Sequence, residues 1–219
     1  MPDTHGGNIF KFSHDHKINL SEVTDFSANI NLLGPSPKGL EALNERLRYI
    51  SHYPDVTNDD VMNTIADVYG IEKDSILLGN GAAELIYAVG RLSGFTGAFV
   101  PAPGFSEYQA SMDAANIPVR EIFYRQRQND DGTPYFEVPY LALQTFAAEL
   151  KGQDGRIIVF LGNPNNPDGT LLDKQSIKVL AQMLKDANSL LVIDESFIDF
   201  IGDESLRDNS YSMRELINQ

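Results

Sequence analysis

Ile157-Ile158-Val159-Phe160-Leu161-Gly162-Asn163-Pro164-Asn165-Asn166-Pro167-Asp168-Gly169 decides the fold, together with its echo Leu190-Leu191-Val192-Ile193-Asp194-Glu195-Ser196-Phe197. Each stretch opens on an unbroken apolar run of strand length and closes on polar groups. Between them, residues 173–187 carry a helical pattern. The unit reads strand, loop, helix, strand. Open α/β sheets gather their sites at the carboxyl ends of strands. Asn166 and Asp194 each follow such an end, so they are expected to converge on one ligand.

The same alternation extends upstream. Ile76-Leu77-Leu78 reads as a strand, 82–92 as a helix, 97–100 as a strand, 105–115 as a helix and 117–123 as a strand. Residues 125–138 are polar, with a turn at Asp130-Asp131-Gly132, and 140–150 read as a helix. Strands alternating with helices predict a three-layer α/β/α fold with a mainly parallel sheet. Ahead of it, Pro37 suits a first helical turn, and Leu40, Leu43, Leu47 and Ile50 follow at helical spacing. A second helix starts near Asp59, with Val61, Ile65 and Val68 on one face, and stops at Gly70. Residues 1–35 read as irregular. The expected division is an N-terminal arm and helix over 1–50 and a large domain over 51–219.

Composition sets bounds. The 219 residues are 42% hydrophobic and 22% charged, an ordinary globular balance. Seventeen basic residues against 31 acidic ones give a net charge of −14, which suits solubility and offers no basic patch for nucleic acid. The chain has no cysteine, which excludes disulfides and thiolate metal sites and fits a cytoplasmic setting. The polar N-terminus does not read as a signal peptide. No apolar run approaches the roughly 20 residues of a membrane span. No His, Asp and Glu spacing argues for a metal.

Several strand ends carry chemistry. Gly79-Asn80-Gly81-Ala82-Ala83-Glu84 joins a strand to a helix, where backbone N–H groups face an anion. Its bland reading is a plain turn. Tyr108, in Pro103-Gly104-Phe105-Ser106-Glu107-Tyr108, follows the next strand and offers a ring for stacking, against the alternative of core packing. A cis Pro167 would set the direction of the Asn166 amide. Asp194 closes an apolar strand, where a carboxylate needs a partner. An amide and a carboxylate aimed together suit a ring with a phenolic oxygen and a basic nitrogen, as in pyridoxal phosphate. Glu195 reads as a polar structural contact. His5-Gly6-Gly7-Asn8 reads as a flexible terminus, and His14 and His16 as surface residues.

With these residues placed, the chain resembles fold-type I pyridoxal-phosphate enzymes of the class I and II aminotransferase family. Within them it is similar to threonine-phosphate decarboxylases and histidinol-phosphate aminotransferases. The resemblance rests on Thr4-His5-Gly6-Gly7-Asn8, Asp25-Phe26-Ser27-Ala28-Asn29-Ile30-Asn31, Tyr53-Pro54-Asp55, Gly79-Asn80-Gly81, Pro103 to Tyr108, Asn163 to Pro167 and Asp194 to Phe200, in order along the chain. It implies that Gly81, Ala82 and Ala83 hold the cofactor phosphate, Tyr108 stacks on the ring, Asn166 meets the phenolic oxygen and Asp194 keeps the ring nitrogen protonated. It further implies that Tyr53 reaches the cofactor of a neighbouring subunit in a homodimer. His5 and Asn29 would contact a small phosphorylated amino-acid substrate. Phe197 stands where many aminotransferases of this branch carry Tyr, which tilts the reading toward the decarboxylase. The family's Schiff-base lysine and later arginines have no counterpart up to Gln219, and Lys174, Lys178 and Lys185 do not match. The chain is therefore expected to be an N-terminal part of the fold. Three readings result: a parent enzyme that decarboxylates threonine O-3-phosphate, a parent enzyme that transaminates in the histidinol-phosphate manner, or an inactive fragment, with this chain alone expected to be inactive.

Overall fold

The strand–helix alternation closes into a parallel sheet covered on both faces in the computed structural model, which describes residues 6–150 and 155–217. His5 lies outside the described residues. The chain divides into two units, Met1–Thr57 and Asn58–Gln219. The first holds α1 (Ile9–His16) and α2 (Pro37–Arg46). The second holds α3 (Asp59–Tyr69), α4 (Gly81–Val89), β1 (Phe95–Ala102), α5 (Ser106–Ala114), β2 (Val119–Phe123), β3 (Arg125–Gln128) and β4 (Pro134–Glu137). It continues with α6 (Tyr140–Leu150), β5 (Arg156–Gly162), α7 (Lys174–Asp186), β6 (Leu190–Asp194) and α8 (Glu204–Ser210).

The main sheet has the order β2-β1-β5-β6, and every neighbouring pair is parallel. All four carboxyl ends therefore share one edge. The chain steps outward from β1 to β2 and in the opposite direction from β5 to β6. The order reverses between β1 and β5, and a crevice opens where such a reversal occurs.

Burial explains why the central run is apolar without alternation. Ile157 and Val159 of β5 join a core with Leu143 and Ala147 of α6 and Leu180 and Leu184 of α7. Ile158 and Phe160 point the other way, into a core with Ile86 of α4 and Tyr108 and Met112 of α5. A strand covered on both sides needs apolar residues at every position. α7 presents Ile177, Leu180 and Leu184 as its buried stripe, and its Asp173 cap accepts from the Ser176 N–H at 2.9 Å.

Three expectations are corrected. Ile76-Leu77-Leu78 forms no strand, and Leu77 is 73% exposed. A strand exists through its ladder, and no described strand presents an edge to this segment. The polar stretch 125–138 is an antiparallel hairpin, β3 with β4, held in part by Arg127 Nε to Glu137 Oε2 at 2.8 Å. The β3 and β4 residues are nearly all exposed, so no apolar period marks them; Phe136, and Val138 just beyond β4, pack into the α6–α7 core. Within 1–35, α1 forms, capped by Asn8 Oδ1 accepting from the Lys11 N–H at 3.1 Å.

Buried polar groups tie residues 208–215 to the sheet. Asn163 Nδ2 donates to the Leu172 and Tyr211 carbonyls at 3.1 and 3.4 Å. The Lys174 amine, largely buried, donates to the Asp208 carbonyl and to Glu215 Oε2 at 3.2 Å. Lys174→Met keeps the stem and strands the acceptors. It is expected to cost about 1–3 kcal/mol, measured as a lower urea midpoint.

Candidate active site

The four segments named from sequence, three of them following strands, meet around one cavity of about 280 Å³ in the second unit. It is lined by Gly81, Ala82, Ala83, Phe105, Tyr108, Pro164, Asn166, Asp194, Ser196 and Phe197. Tyr108 follows β1 and Asn166 follows β5, so they flank the reversal point of the sheet. Asp194 ends β6 opposite Gly162 of β5, and the Asn163 N–H donates to the Asp194 carbonyl at 2.8 Å, one step beyond that pair. The Asn166 loop and the Asp194 loop thus leave adjacent, paired strands side by side.

Local rules shape each part. Gly81 opens α4 with φ at +78°, a left-handed backbone that glycine adopts without strain. No atom would obstruct a Cβ there. Gly81→Ala therefore acts through backbone strain alone and is expected to cost about 1–2 kcal/mol, read as a lower thermal midpoint. The first-turn Glu84 accepts from the Asn80 N–H and fixes the entry to the helix. That leaves the N-terminal end of α4 at the cavity wall.

Asn166 sits in a loop held by its neighbours. The peptide bonds Asn163–Pro164 and Asn166–Pro167 are cis. The Asn165 side chain, buried at 3% exposure, donates to the Pro103 carbonyl at 3.0 Å and to Asp168 Oδ1 at 2.6 Å. The Asn165 N–H donates to the Thr170 carbonyl at 2.9 Å, and the Asn165 carbonyl accepts from Gly169 N–H at 2.8 Å. The Asn165 amide thus bridges the β1 loop to the β5 loop. Neither it nor Asn163 was singled out from sequence as structural; a run of Asn after a strand is the one signal they leave.

The Asp194 carboxylate has a donor on each oxygen. The Tyr108 hydroxyl donates to Oδ2 at 2.8 Å, and the Ser196 N–H donates to Oδ1 at 2.9 Å. The Tyr108 ring is 2% exposed, stacks on Phe160 with centroids 5.0 Å apart and meets Phe105 edge-on at 5.7 Å. Burial first, and then the Asp194 charge, push the Tyr108 phenol far above its ordinary range, so it stays protonated. The reading of Glu195 as a structural contact fits: it accepts from Ser212 Oγ at 3.0 Å and from the Met213 N–H at 2.6 Å.

The remaining sequence candidates fall elsewhere. Tyr53, fully exposed, and Asn29 belong to the first unit. Lys174 serves the tie described above, and no lysine lines the cavity among the described residues. In the first unit, Gly6 and Gly7 are not a loose end. A Cβ on Gly6 would lie 1.9 Å from the Ser27 carbonyl oxygen, and the Gly7 N–H donates to Ser27 Oγ at 2.8 Å. The segments around Gly6 and Ser27 therefore meet closely, which only glycine permits at position 6.

Comparison with known proteins agrees with this architecture. The model of the family described as aminotransferase class I and II matches residues 21–216. The adenosylcobalamin biosynthesis bifunctional protein CobDQ of Leptospira interrogans is 36% identical over 95% of this chain and 23% of its own length. The threonine-phosphate decarboxylase of Salmonella typhimurium is 31% identical over 94% of this chain and 55% of its own length. The crystal structure of histidinol-phosphate aminotransferase from Clostridium acetobutylicum superposes with a TM-score of 0.69 at 25% identity, covering 89% of this chain and 52% of that one. The chain spans just over half the length, or less, of these relatives. The parallel sheet with its helical layers, and a family match over most of the sequence, lead to one conclusion: the chain belongs to the aminotransferase class I and II family.

Proposed function

We propose that the protein holds pyridoxal 5′-phosphate in the Gly81–Tyr108–Asn166–Asp194 cavity and that its reaction is decarboxylation of threonine O-3-phosphate. The observation that carries this is the donor set at one sheet edge: a helix N-terminus, an amide and a carboxylate around an aromatic-walled space. The fit is chemical. The N–H groups of Gly81, Ala82 and Ala83 suit a phosphate. The Asn166 amide suits a phenolic oxygen, and the Asp194 carboxylate suits a protonated ring nitrogen. Phe197 brings no hydroxyl to the wall. Once bound, the cofactor supplies an electron sink for the pair left at Cα when a bond to that carbon breaks. Asp194 holds the proton on the ring nitrogen, Asn166 orients the ring, and Phe105, Pro164 and Phe197 exclude water.

In this reading residues 51–219 form the cofactor-holding domain, and 1–50 are an arm toward substrate and partner. His5 and Asn29 meet the substrate, and Tyr53 serves a neighbouring subunit of a homodimer in the cytoplasm. Exposed Phe26, Leu32, Leu33 and Tyr53 in the first unit support association. Relatives named as histidinol-phosphate aminotransferases favour a second reading, amino transfer. A third reading, a cofactor-binding chain without turnover, goes with a cavity whose lining holds no lysine among the described residues.

Product analysis separates the three. The whole protein is purified and supplied with cofactor, then given either threonine phosphate or histidinol phosphate with 2-oxoglutarate. Carbon dioxide and the corresponding amino-alcohol phosphate are expected from the first mixture. Glutamate from the second mixture alone supports amino transfer. Cofactor binding with neither product supports the third reading.

A further inference from the structure

We infer that Tyr108 serves this site through its hydroxyl as well as its ring: it is a positioning residue that holds the Asp194 carboxylate in the orientation that meets a ring nitrogen. The inference rests on the proposed cofactor reading and adds a role that stacking does not require. An aspartate carboxylate turns easily about its last torsion, which is broad and roughly two-fold. Asp194 sits at a strand end, half-buried, where such freedom would blur its aim. Here both oxygens are engaged, Oδ1 by the Ser196 N–H and Oδ2 by the Tyr108 hydroxyl. The backbone donor belongs to the loop just beyond Asp194. The hydroxyl belongs to α5, 86 positions earlier in sequence, and it is the rigid one.

That rigidity has a visible source. The Tyr108 ring is clamped between Phe160 of β5 and Phe105, and it is almost wholly buried. A phenol so fixed has little freedom left to lose when it donates. The Asp194 Oδ2 atom keeps a second lone pair, so it can accept from Tyr108 and from a ligand N–H together. The phenol stays protonated at any working pH, so it acts only as donor toward this carboxylate. The β5 core residue Phe160, the α5 residue Tyr108 and the β6 residue Asp194 thus form one chain of contact from the core to the cavity.

Tyr108→Phe keeps the ring and removes the hydroxyl, which separates stacking from positioning. Pyridoxal 5′-phosphate is the probe, its affinity measured by equilibrium dialysis against the purified protein, with near-ultraviolet circular dichroism as the check on folding. The expected result is about tenfold weaker binding by Tyr108→Phe, the scale of one hydrogen bond to a charged group. In an Asp194→Ala background the same change is expected to have no further effect, because the group it positions is gone. With ¹⁵N-labelled cofactor, the ring-nitrogen resonance should move toward the unprotonated position in Tyr108→Phe. A purely structural role would leave that resonance in place. Wild-type affinity in Tyr108→Phe, or a loss that adds in full to that of Asp194→Ala, overturns the positioning role and leaves the cofactor reading standing. Undiminished binding by Asp194→Ala alone overturns the cofactor reading itself, and this inference with it. If Tyr108→Phe does not fold, two other variants are read on the labelled cofactor. Asp194→Asn by itself reads the charge alone, so Phe160→Leu is set beside it: it loosens the ring that carries the Tyr108 hydroxyl, and wild-type affinity with an unmoved ring-nitrogen resonance in that variant overturns the positioning role.

Discussion

In the whole enzyme, Asp194→Ala is expected to lower cofactor-dependent turnover by roughly 10²–10³, about 3–4 kcal/mol, the scale seen when one preorganised electrostatic group is removed. The fold should lose less. The substitution leaves the Tyr108 hydroxyl and the Ser196 N–H without their acceptor, and a stranded donor costs about 1–3 kcal/mol. Asp194 is only half-buried, so water reaches part of that loss and the lower end is expected. Steady-state turnover with threonine phosphate, set beside the urea unfolding midpoint, tests the contrast. Asp194→Asn refines it: the single amide oxygen keeps one of the two donors and the amide nitrogen faces the other, so stability should fall less than in Asp194→Ala while turnover remains low. Near-normal turnover in either variant contradicts the assigned role.

Phe160→Ala is expected to give the largest loss of stability, about 3–5 kcal/mol. The side chain is 1% exposed in the core shared by β5, α4 and α5. Truncation removes its own burial and opens a cavity that the sheet cannot close. Domains of this size are stable by only about 5–15 kcal/mol, so the variant should sit close to unfolding at ordinary temperature. It should also weaken the cofactor site, since the ring it removes is the one on which Tyr108 stacks. Chemical denaturation followed by circular dichroism measures the first effect, and dialysis against pyridoxal phosphate the second. Phe160→Leu keeps most of the volume and should lose less than half as much stability.

The major elements were legible because their signals are local. Ile157 to Leu161 read as a strand and residues 173–187 as a helix, and the structure bears both out, with Ile177, Leu180 and Leu184 as the helix's buried stripe. Gly70 and Asp173 ended or opened helices by chemistry that acts within one turn. The β3–β4 hairpin and α1 escaped notice for the same reason in reverse. Their residues are exposed or mixed, so no period separates an inner face from an outer one. Ile76-Leu77-Leu78 carried a strand's composition but found no partner edge in the sheet. Strand formation is a pairwise property, and composition reports only one member of the pair.

For the candidate site, residue types and their place after strands were readable. Tyr108, Asn166 and Asp194 each occupy a position where an α/β sheet exposes groups at its carboxyl edge, and Gly81 to Ala83 open a helix at the same cavity. The sequence by itself determined which residues stand at that edge, because the alternation of apolar runs and helices sets where each strand ends. The tertiary structure decided how they face one another. Only the strand order β2-β1-β5-β6 puts Tyr108 and Asn166 on either side of the reversal. Only packing against Phe160 brings the Tyr108 hydroxyl to the Asp194 carboxylate, and only the hydrogen bond to the Pro103 carbonyl turns Asn165 into a bridge between loops. The physical reason is range. Periodicity, caps and turn chemistry act over a few residues, whereas a hydrogen bond between groups far apart in sequence exists only after the sheet has chosen its order.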